Sequence, residues 1–198
     1  MPNQNLNNFC TIYLDLGKVD VYNSSILSNS GFYLLFGEIS CVKIKLIQTG
    51  KSHFGFVNQG FEEYQRRLKH YVDFSYQEVQ LPGKDKSQQP ELIKKAEALL
   101  QLKLIKPTDY LVLLDERGKQ PNSPGLAEIV QKWMLHHANV IILIGGAYGF
   151  DTSIYERANA QLSLSNLTFS HQLIKLILSE QLYRAFTIIR GEPYHHGS

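Results

Sequence analysis

Three glycines near the end of the chain mark the first candidate for a binding site. Gly145, Gly146 and Gly149 lie at and just after the end of an apolar run, VIILIGG, at residues 140–146. A backbone without side chains lets its N–H groups approach a ligand closely. Because ligands of open α/β sheets bind outside the carboxyl ends of the strands, this turn is the expected place for a ligand.

Several familiar kinds of site are disfavoured. The sequence contains neither GxGxxG nor GxxxxGK[ST], which argues against a nicotinamide dehydrogenase and a P-loop nucleotide hydrolase. His195 and His196 are adjacent but have no acidic or cysteine companion at ligand spacing, so we expect no metal. Asp115 and Glu116 resemble a ribose-binding acidic pair, but we interpret them as loop residues near the site, not necessarily in it.

Apolar runs that alternate with helical patterns must position this turn. Uninterrupted β-branched and leucine residues are typical of strands buried on both faces of a parallel sheet. The patterns predict one doubly wound α/β domain without internal repeats. Ser123, followed by Pro124, is the expected cap of the third long helix, and Asp151 or Thr152 that of a short one. The predicted strands are residues 42–49, 76–81, 110–114 and 140–146, and residues 161–169 are predicted as a short strand that runs into a second polar loop. The long helices are residues 54–71, 91–104, 123–137 and 171–189.

The last helix, residues 171–189, is apolar around most of its circumference. A helix of this kind is buried on several sides, which a small domain rarely provides alone. Burial against a second copy of the chain is the simplest alternative. We therefore predict a homodimer.

Five motifs in order resemble the RlmH family of SPOUT-class methyltransferases, which modify a pseudouridine of bacterial 23S ribosomal RNA. The motifs are LVLLDERGK, IGGAYG, LSLSNLTFSHQL, EQLYRAF and RGEPYHH, and the resemblance runs from about Val42 to the C-terminus. It implies a mostly parallel sheet with helices on both faces and a C-terminal trefoil knot. Ser170 departs from the family, which usually has proline there.

The resemblance also implies a cofactor and the residues that hold it. The cofactor is S-adenosylmethionine, with S-adenosylhomocysteine as product, and no metal is involved. Three convergent loops would supply an apolar slot and backbone hydrogen bonds for the adenine. The implied cofactor-binding residues are Leu114, Gly145, Leu164, Ser165, Asn166, Leu167, Thr168 and Phe169. Judged without the family, Leu114 and Leu164 would pass as core residues, and the polar members as loop formers.

Methylation at N3 of a pseudouridine requires a weakly acidic imide to lose its proton. A nearby base, or a cation that stabilises the anion, should therefore help. The candidate catalytic residues are His171, Arg184, Tyr194 and His195, and the resemblance implies that the C-terminal tail completes the pocket of the opposite subunit. Structural alternatives stay open for each. His171 could be a hydrogen-bonding residue at a helix start, Arg184 an interface ion-pair residue, and Tyr194 part of a frayed end.

Residues 1–41 have no place in the motif series, so residues 42–198 form the predicted methyltransferase domain. Because Val42-Lys43 stands where the family begins with Met-Lys, we hypothesise that residue 42 is the true start; the alternative is a real appendage. Cys10 and Cys41, the only cysteines, both lie in this segment, which favours a reducing, cytoplasmic setting. No apolar run is long enough to span a membrane.

The formal net charge of +2 permits an RNA partner without implying one. The expected partner is 23S rRNA within the assembled ribosome, which follows from the resemblance alone. Two alternatives remain at this point. One is a SPOUT RNA methyltransferase with a different target nucleotide, and the other is a non-catalytic protein that binds the ribosome.

Overall fold

A computed structural model of the protein describes residues 42–81 and 89–194. Residues 1–41, which were predicted to precede the methyltransferase domain, lie outside the described residues. His195 also lies outside them. No helix in the described part of the chain has both the length and the apolar character that crossing a membrane requires.

Five parallel strands form one sheet in the order β2-β1-β4-β3-β5. Among the inner strands, β4 and the first half of β3 are apolar runs, as burial on both faces requires, whereas β1 mixes apolar and polar residues. The strands are β1 (Lys43–Thr49), β2 (Asp73–Val79), β3 (Tyr110–Lys119), β4 (Asn139–Ile144) and β5 (Ala160–Leu162). The helices are α1 (Gly55–Leu68), α2 (Pro90–Lys103), α3 (Ser123–His136), α4 (Thr152–Arg157) and α5 (Leu173–Ile189).

Helices cover both faces of the sheet. Alternate residues of β4 belong to different hydrophobic clusters, because successive side chains of a strand point to opposite faces. Val140 and Ile142 pack with residues of α1, α3 and α5, whereas Ile141 and Leu143 pack with residues of α2 and α4. This arrangement confirms the predicted α/β fold. The trefoil knot stays a prediction.

One local prediction needs correction. Ser123 is the first residue of α3, and its cap is Asn122, whose Oδ1 accepts a hydrogen bond from the Gly125 amide at 2.9 Å. The short strand predicted to begin at Gln161 and to run into a loop is confirmed, since β5 ends at Leu162 and a loop follows. The expected cap of α4 is confirmed, since Asp151 Oδ1 accepts from the Ser153 amide at 3.0 Å.

Candidate functional site

A cleft of about 790 Å³ opens at the carboxyl ends of β3, β4 and β5. Three segments surround it: the second half of β3 after Leu114, the glycine turn after Ile144, and the loop that follows Leu162. Parallel strands place these segments at one edge of the sheet, where α/β proteins bind ligands. Seven of the eight residues expected to hold a cofactor line the cleft, namely Leu114, Gly145, Leu164, Ser165, Leu167, Thr168 and Phe169. The structure does not bring the eighth, Asn166, into the lining.

The glycine turn uses its missing side chains in more than one way. Gly149 has φ of 77°, a conformation that favours glycine, and its amide bonds the Gly146 carbonyl at 3.2 Å. A Cβ on Gly145 would lie 3.2 Å from the ring of Phe150. At Gly146 a Cβ would lie 2.5 Å from Glu97 Oε2, so here the missing side chain makes room for a carboxylate of the protein itself.

Hydroxyl groups shape the loop after β5. Ser163 Oγ donates to the Ser165 carbonyl at 3.0 Å, and Ser165 Oγ accepts from the Leu167 amide at 2.9 Å. Leu167 projects from this turn with 75% of its side chain exposed. Two hydrogen bonds restrain Ser170, which stands where proline was expected. Its Oγ accepts from the Leu173 amide at 3.2 Å, and its carbonyl accepts from the Ile174 amide at 3.1 Å.

Of the three predicted catalytic residues that the structure describes, His171 alone lines this cleft. Its carbonyl accepts a hydrogen bond from Gln48 Nε2 at 3.1 Å, which ties the approach to α5 to the end of β1. Its ring lies beside Gly50, whose φ is 92°; a Cβ there would lie 3.6 Å from His171 Nε2. Because Gly50 has no side chain, the His171 ring lies directly beside the backbone at that position.

A buried polar network is linked to His171 through Gln48. Lys175 is only 2% exposed, and its Nζ donates to Asn58 Oδ1 at 2.9 Å and to the Tyr76 hydroxyl at 3.3 Å. The Tyr76 hydroxyl lies 2.9 Å from both Gln48 Oε1 and Glu78 Oε1. Desolvation lowers the pKa of Lys175, partly offset by Glu78. The network joins the first turn of α5 to the carboxyl ends of β1 and β2.

Arg184 and Tyr194 lie away from the cleft of their own subunit. Arg184 is about three turns into α5, or roughly 20 Å along the chain from His171. Its Nη2 donates to Glu180 Oε1 at 2.6 Å, and its guanidinium lies 4.9 Å from the centre of the Tyr194 ring. Burial, with a hydrogen bond to Tyr64, raises the pKa of Tyr194, so its phenol is protonated at neutral pH. These two predicted catalytic residues meet each other but not His171.

Two comparisons with known proteins identify the family. The family described as "Predicted SPOUT methyltransferase" matches residues 42–195. The chain belongs to the SPOUT methyltransferases. It is also 42% identical over 156 residues to Ribosomal RNA large subunit methyltransferase H of Cytophaga hutchinsonii, a match that covers 78% of this chain and all of that protein. The proteins of the same name from Parabacteroides distasonis and Porphyromonas gingivalis are 41% and 43% identical, each with 78% of this chain and 99% of the relative covered. These relatives confirm the predicted RlmH family.

The sequence reading of this SPOUT methyltransferase missed one cluster in the cleft. Asp115, Arg117 and Tyr155 all line it. The Tyr155 hydroxyl donates to Asp115 Oδ2 at 2.5 Å, and Arg117 Nε donates to Asp115 Oδ1 at 3.1 Å. Burial opposes ionisation of Asp115, but the hydrogen bonds from Arg117 and Tyr155 outweigh it and lower the pKa. Burial and the bond to Asp115 raise the pKa of Tyr155 to about 12. The position of Asp115 directly after the apolar half of β3 was the available signal, and nothing local marked Tyr155.

Proposed function

We propose that the protein methylates N3 of a pseudouridine in 23S rRNA of the assembled ribosome, using S-adenosylmethionine and acting as a homodimer. Family membership establishes a methyltransferase, and the curated relatives are named for large-subunit ribosomal RNA. The observation that carries the proposal is the convergence of three segments on one cleft beside His171.

The chemistry of the cleft fits S-adenosylmethionine. Its volume of about 790 Å³ is in the range of small-molecule sites. Leu114 and Leu164 offer apolar surface, while the glycine turn at Gly145 and the loop from Ser165 to Phe169 present backbone hydrogen-bonding groups. We assign the holding of the cofactor to these residues. When bound, S-adenosylmethionine supplies a methyl group already activated by its sulfonium.

The remaining task of the protein is to free the lone pair of the pseudouridine N3. We assign His171 to accept the N3 proton or to orient the base, because it is the predicted catalytic side chain that lines the cleft. Arg184, Tyr194 and His195 would act from the opposite subunit, where a cation and a protonated phenol would stabilise the imide anion.

The exposed part of α5 supports the dimer. Leu178, Leu182 and Phe186 are buried against the subunit's own core. Further apolar side chains of the same helix are only half-buried in one subunit, including Leu173, Ile177, Ile188 and Ile189. A second copy packed here would cover them and bring its own tail close to the first subunit.

Loss of the gene is expected to remove one N3-methylated pseudouridine from 23S rRNA of the natural host. Mass analysis of rRNA fragments measures this, and calorimetric titration with S-adenosylmethionine measures cofactor binding separately. Wild-type protein should restore the methyl group when added to assembled ribosomes. Unchanged methylation in the deletion strain contradicts the proposed substrate, and loss of a methyl group elsewhere indicates a SPOUT enzyme with another target.

Gln48→Leu is expected to weaken S-adenosylmethionine binding about tenfold while the protein stays folded. The change removes the donor to the His171 carbonyl and leaves that carbonyl unsatisfied, at a cost of about 1–3 kcal/mol. Gln101→Leu is the matched control, since Gln101 is also buried but donates to Thr49 Oγ1 at 2.7 Å. Both variants should lose similar thermal stability. If both bind the cofactor equally, Gln48 has only a structural role.

A further inference from the structure

We infer that Arg117 is an oxyanion-binding residue of the cleft, which contacts either the carboxylate of the methyl donor or a phosphate of the RNA. The inference rests on the proposed function and adds a recognition residue to it. Arg117 lies in the second half of β3, where the pairing with β5 is interrupted, and it lines the cleft with 65% of its side chain exposed.

The guanidinium of Arg117 is held in place before any ligand arrives. Its Nε donates to Asp115 Oδ1 at 3.1 Å and its Nη2 lies 3.4 Å from Asp115 Oδ2. Nη2 also contacts the Tyr155 hydroxyl, and the guanidinium carbon lies 4.7 Å from the centre of the Tyr155 ring. The Arg117 amide adds a further bond to Asp115 Oδ1 at 2.9 Å.

The anchor itself is unusually fixed for a surface ion pair. Exposed pairs usually contribute little because two flexible side chains must be held together. Here the Asp115 side chain is only 9% exposed and also accepts from Tyr155. Both of its oxygens are therefore occupied, so Asp115 acts as a support and not as a ligand for the substrate. The hydrogen bonds to Asp115 and Tyr155 therefore already restrict the side chain of Arg117 in the free protein.

One side of the guanidinium remains for a ligand. Nη1 of Arg117 makes no hydrogen bond with the part of the chain that the structure describes. Arginine presents its N–H groups in a planar fork that matches carboxylate and phosphate. The methyl donor carries the first of these groups and RNA the second, so both sources fit the same chemistry.

Titration of the full-length protein separates the two sources. S-adenosylhomocysteine carries the amino-acid carboxylate, and 5′-methylthioadenosine does not. If Arg117 binds the carboxylate, Arg117→Gln should weaken S-adenosylhomocysteine about 10- to 100-fold and leave 5′-methylthioadenosine unchanged. If it binds a phosphate, both affinities should stay the same, KM for ribosomes should rise about tenfold, and the salt dependence of kcat/KM should become shallower by about one unit.

Lys43→Gln is the matched control. The Lys43 side chain is also 65% exposed and paired with an aspartate, Asp73, at 3.7 Å. It stands at the amino end of β1, whereas the cleft lies at the carboxyl ends of the strands. The Lys43→Gln variant should match wild type in every measurement. Arg117→Lys keeps the charge without the fork and should show a smaller loss of the same kind, which keeps the inference testable if Arg117→Gln folds poorly.

The inference is overturned if Arg117→Gln and Arg117→Lys match Lys43→Gln in both nucleoside affinities, KM and salt dependence. That result differs from a failure of the proposed function. In the latter case the wild-type protein itself would bind neither nucleoside and methylate no ribosomal RNA.

Discussion

A dimer that carries Gly145→Val in one subunit and Tyr194→Ala in the other is expected to methylate rRNA at about half the wild-type rate, although each homodimer is nearly inactive. A side chain at Gly145 would crowd Phe150 and close the cofactor cleft, since even a Cβ lies 3.2 Å from that ring. Tyr194 contacts Tyr64, Tyr183 and Glu180, far from the cleft of its own subunit. If tails act across the dimer, one of the two sites then has an intact cleft and an intact tail.

A second mixed dimer, with both substitutions in one subunit, distinguishes sites shared between subunits from sites within single subunits. When both substitutions lie in one subunit and the partner is wild type, each composite site contains one damaged part, so this dimer should be inactive. Sites that lie within single subunits predict the reverse: the first dimer inactive and the second about half-active. Differently tagged subunits allow both mixed dimers to be purified and assayed on ribosomes. Tyr194→Ala alone should lower turnover about 100-fold and leave S-adenosylmethionine affinity unchanged.

The sheet and the location of the cleft were predictable because their signals are local. The runs at Val140–Ile144 and Tyr110–Leu114 contain no polar residue that a buried parallel strand would have to satisfy. The glycines after the first of these runs marked the edge where ligands bind. The short strand that leads into LSLS ends at Leu162, because Ser163 and Ser165 use their hydroxyls within a turn and not on the exposed face of a strand.

The residues that complete the site depend on contacts between distant parts of the chain. Tyr155 reaches Asp115 across 40 positions, and Lys175 reaches Tyr76 across 99. A lysine in an apolar helix reads as a solvent-exposed residue, yet here the carboxyl ends of β1 and β2 supply its partners. Single-sequence patterns contain no signal for such pairs, because the helix α5 must first pack on the sheet before they form.

Gly118 is another residue whose role depends on a contact between distant parts of the chain. Between Leu114 and Lys119 the chain loops away from β5, and both of these residues pair with Leu162. The return of the chain brings Gly118 against backbone: a Cβ there would lie 2.5 Å from the Leu162 amide nitrogen and 2.7 Å from the Gln161 carbonyl carbon. Neither atom belongs to a flexible side chain that could move aside. The glycine is therefore required by the crossing of two chain segments and not by its own φ.

Gly118→Ala is accordingly expected to lower the free energy of unfolding by about 3 kcal/mol, or the melting temperature by on the order of 10 °C. To make room for the added Cβ, β3 must move away from β5. This movement weakens the hydrogen bond from the Ser163 amide to the Lys119 carbonyl, which is 2.8 Å long in the native protein. Gly55→Ala is the control, because Gly55 opens α1 with nothing within 4 Å of the added Cβ. Alanine favours a helix over glycine, so this variant should melt at or above the wild-type temperature. Equal melting temperatures for the two variants would contradict the close crossing. Gly118→Ala should also weaken S-adenosylmethionine binding, since the part of β3 that carries Asp115 and Arg117 is anchored at this crossing.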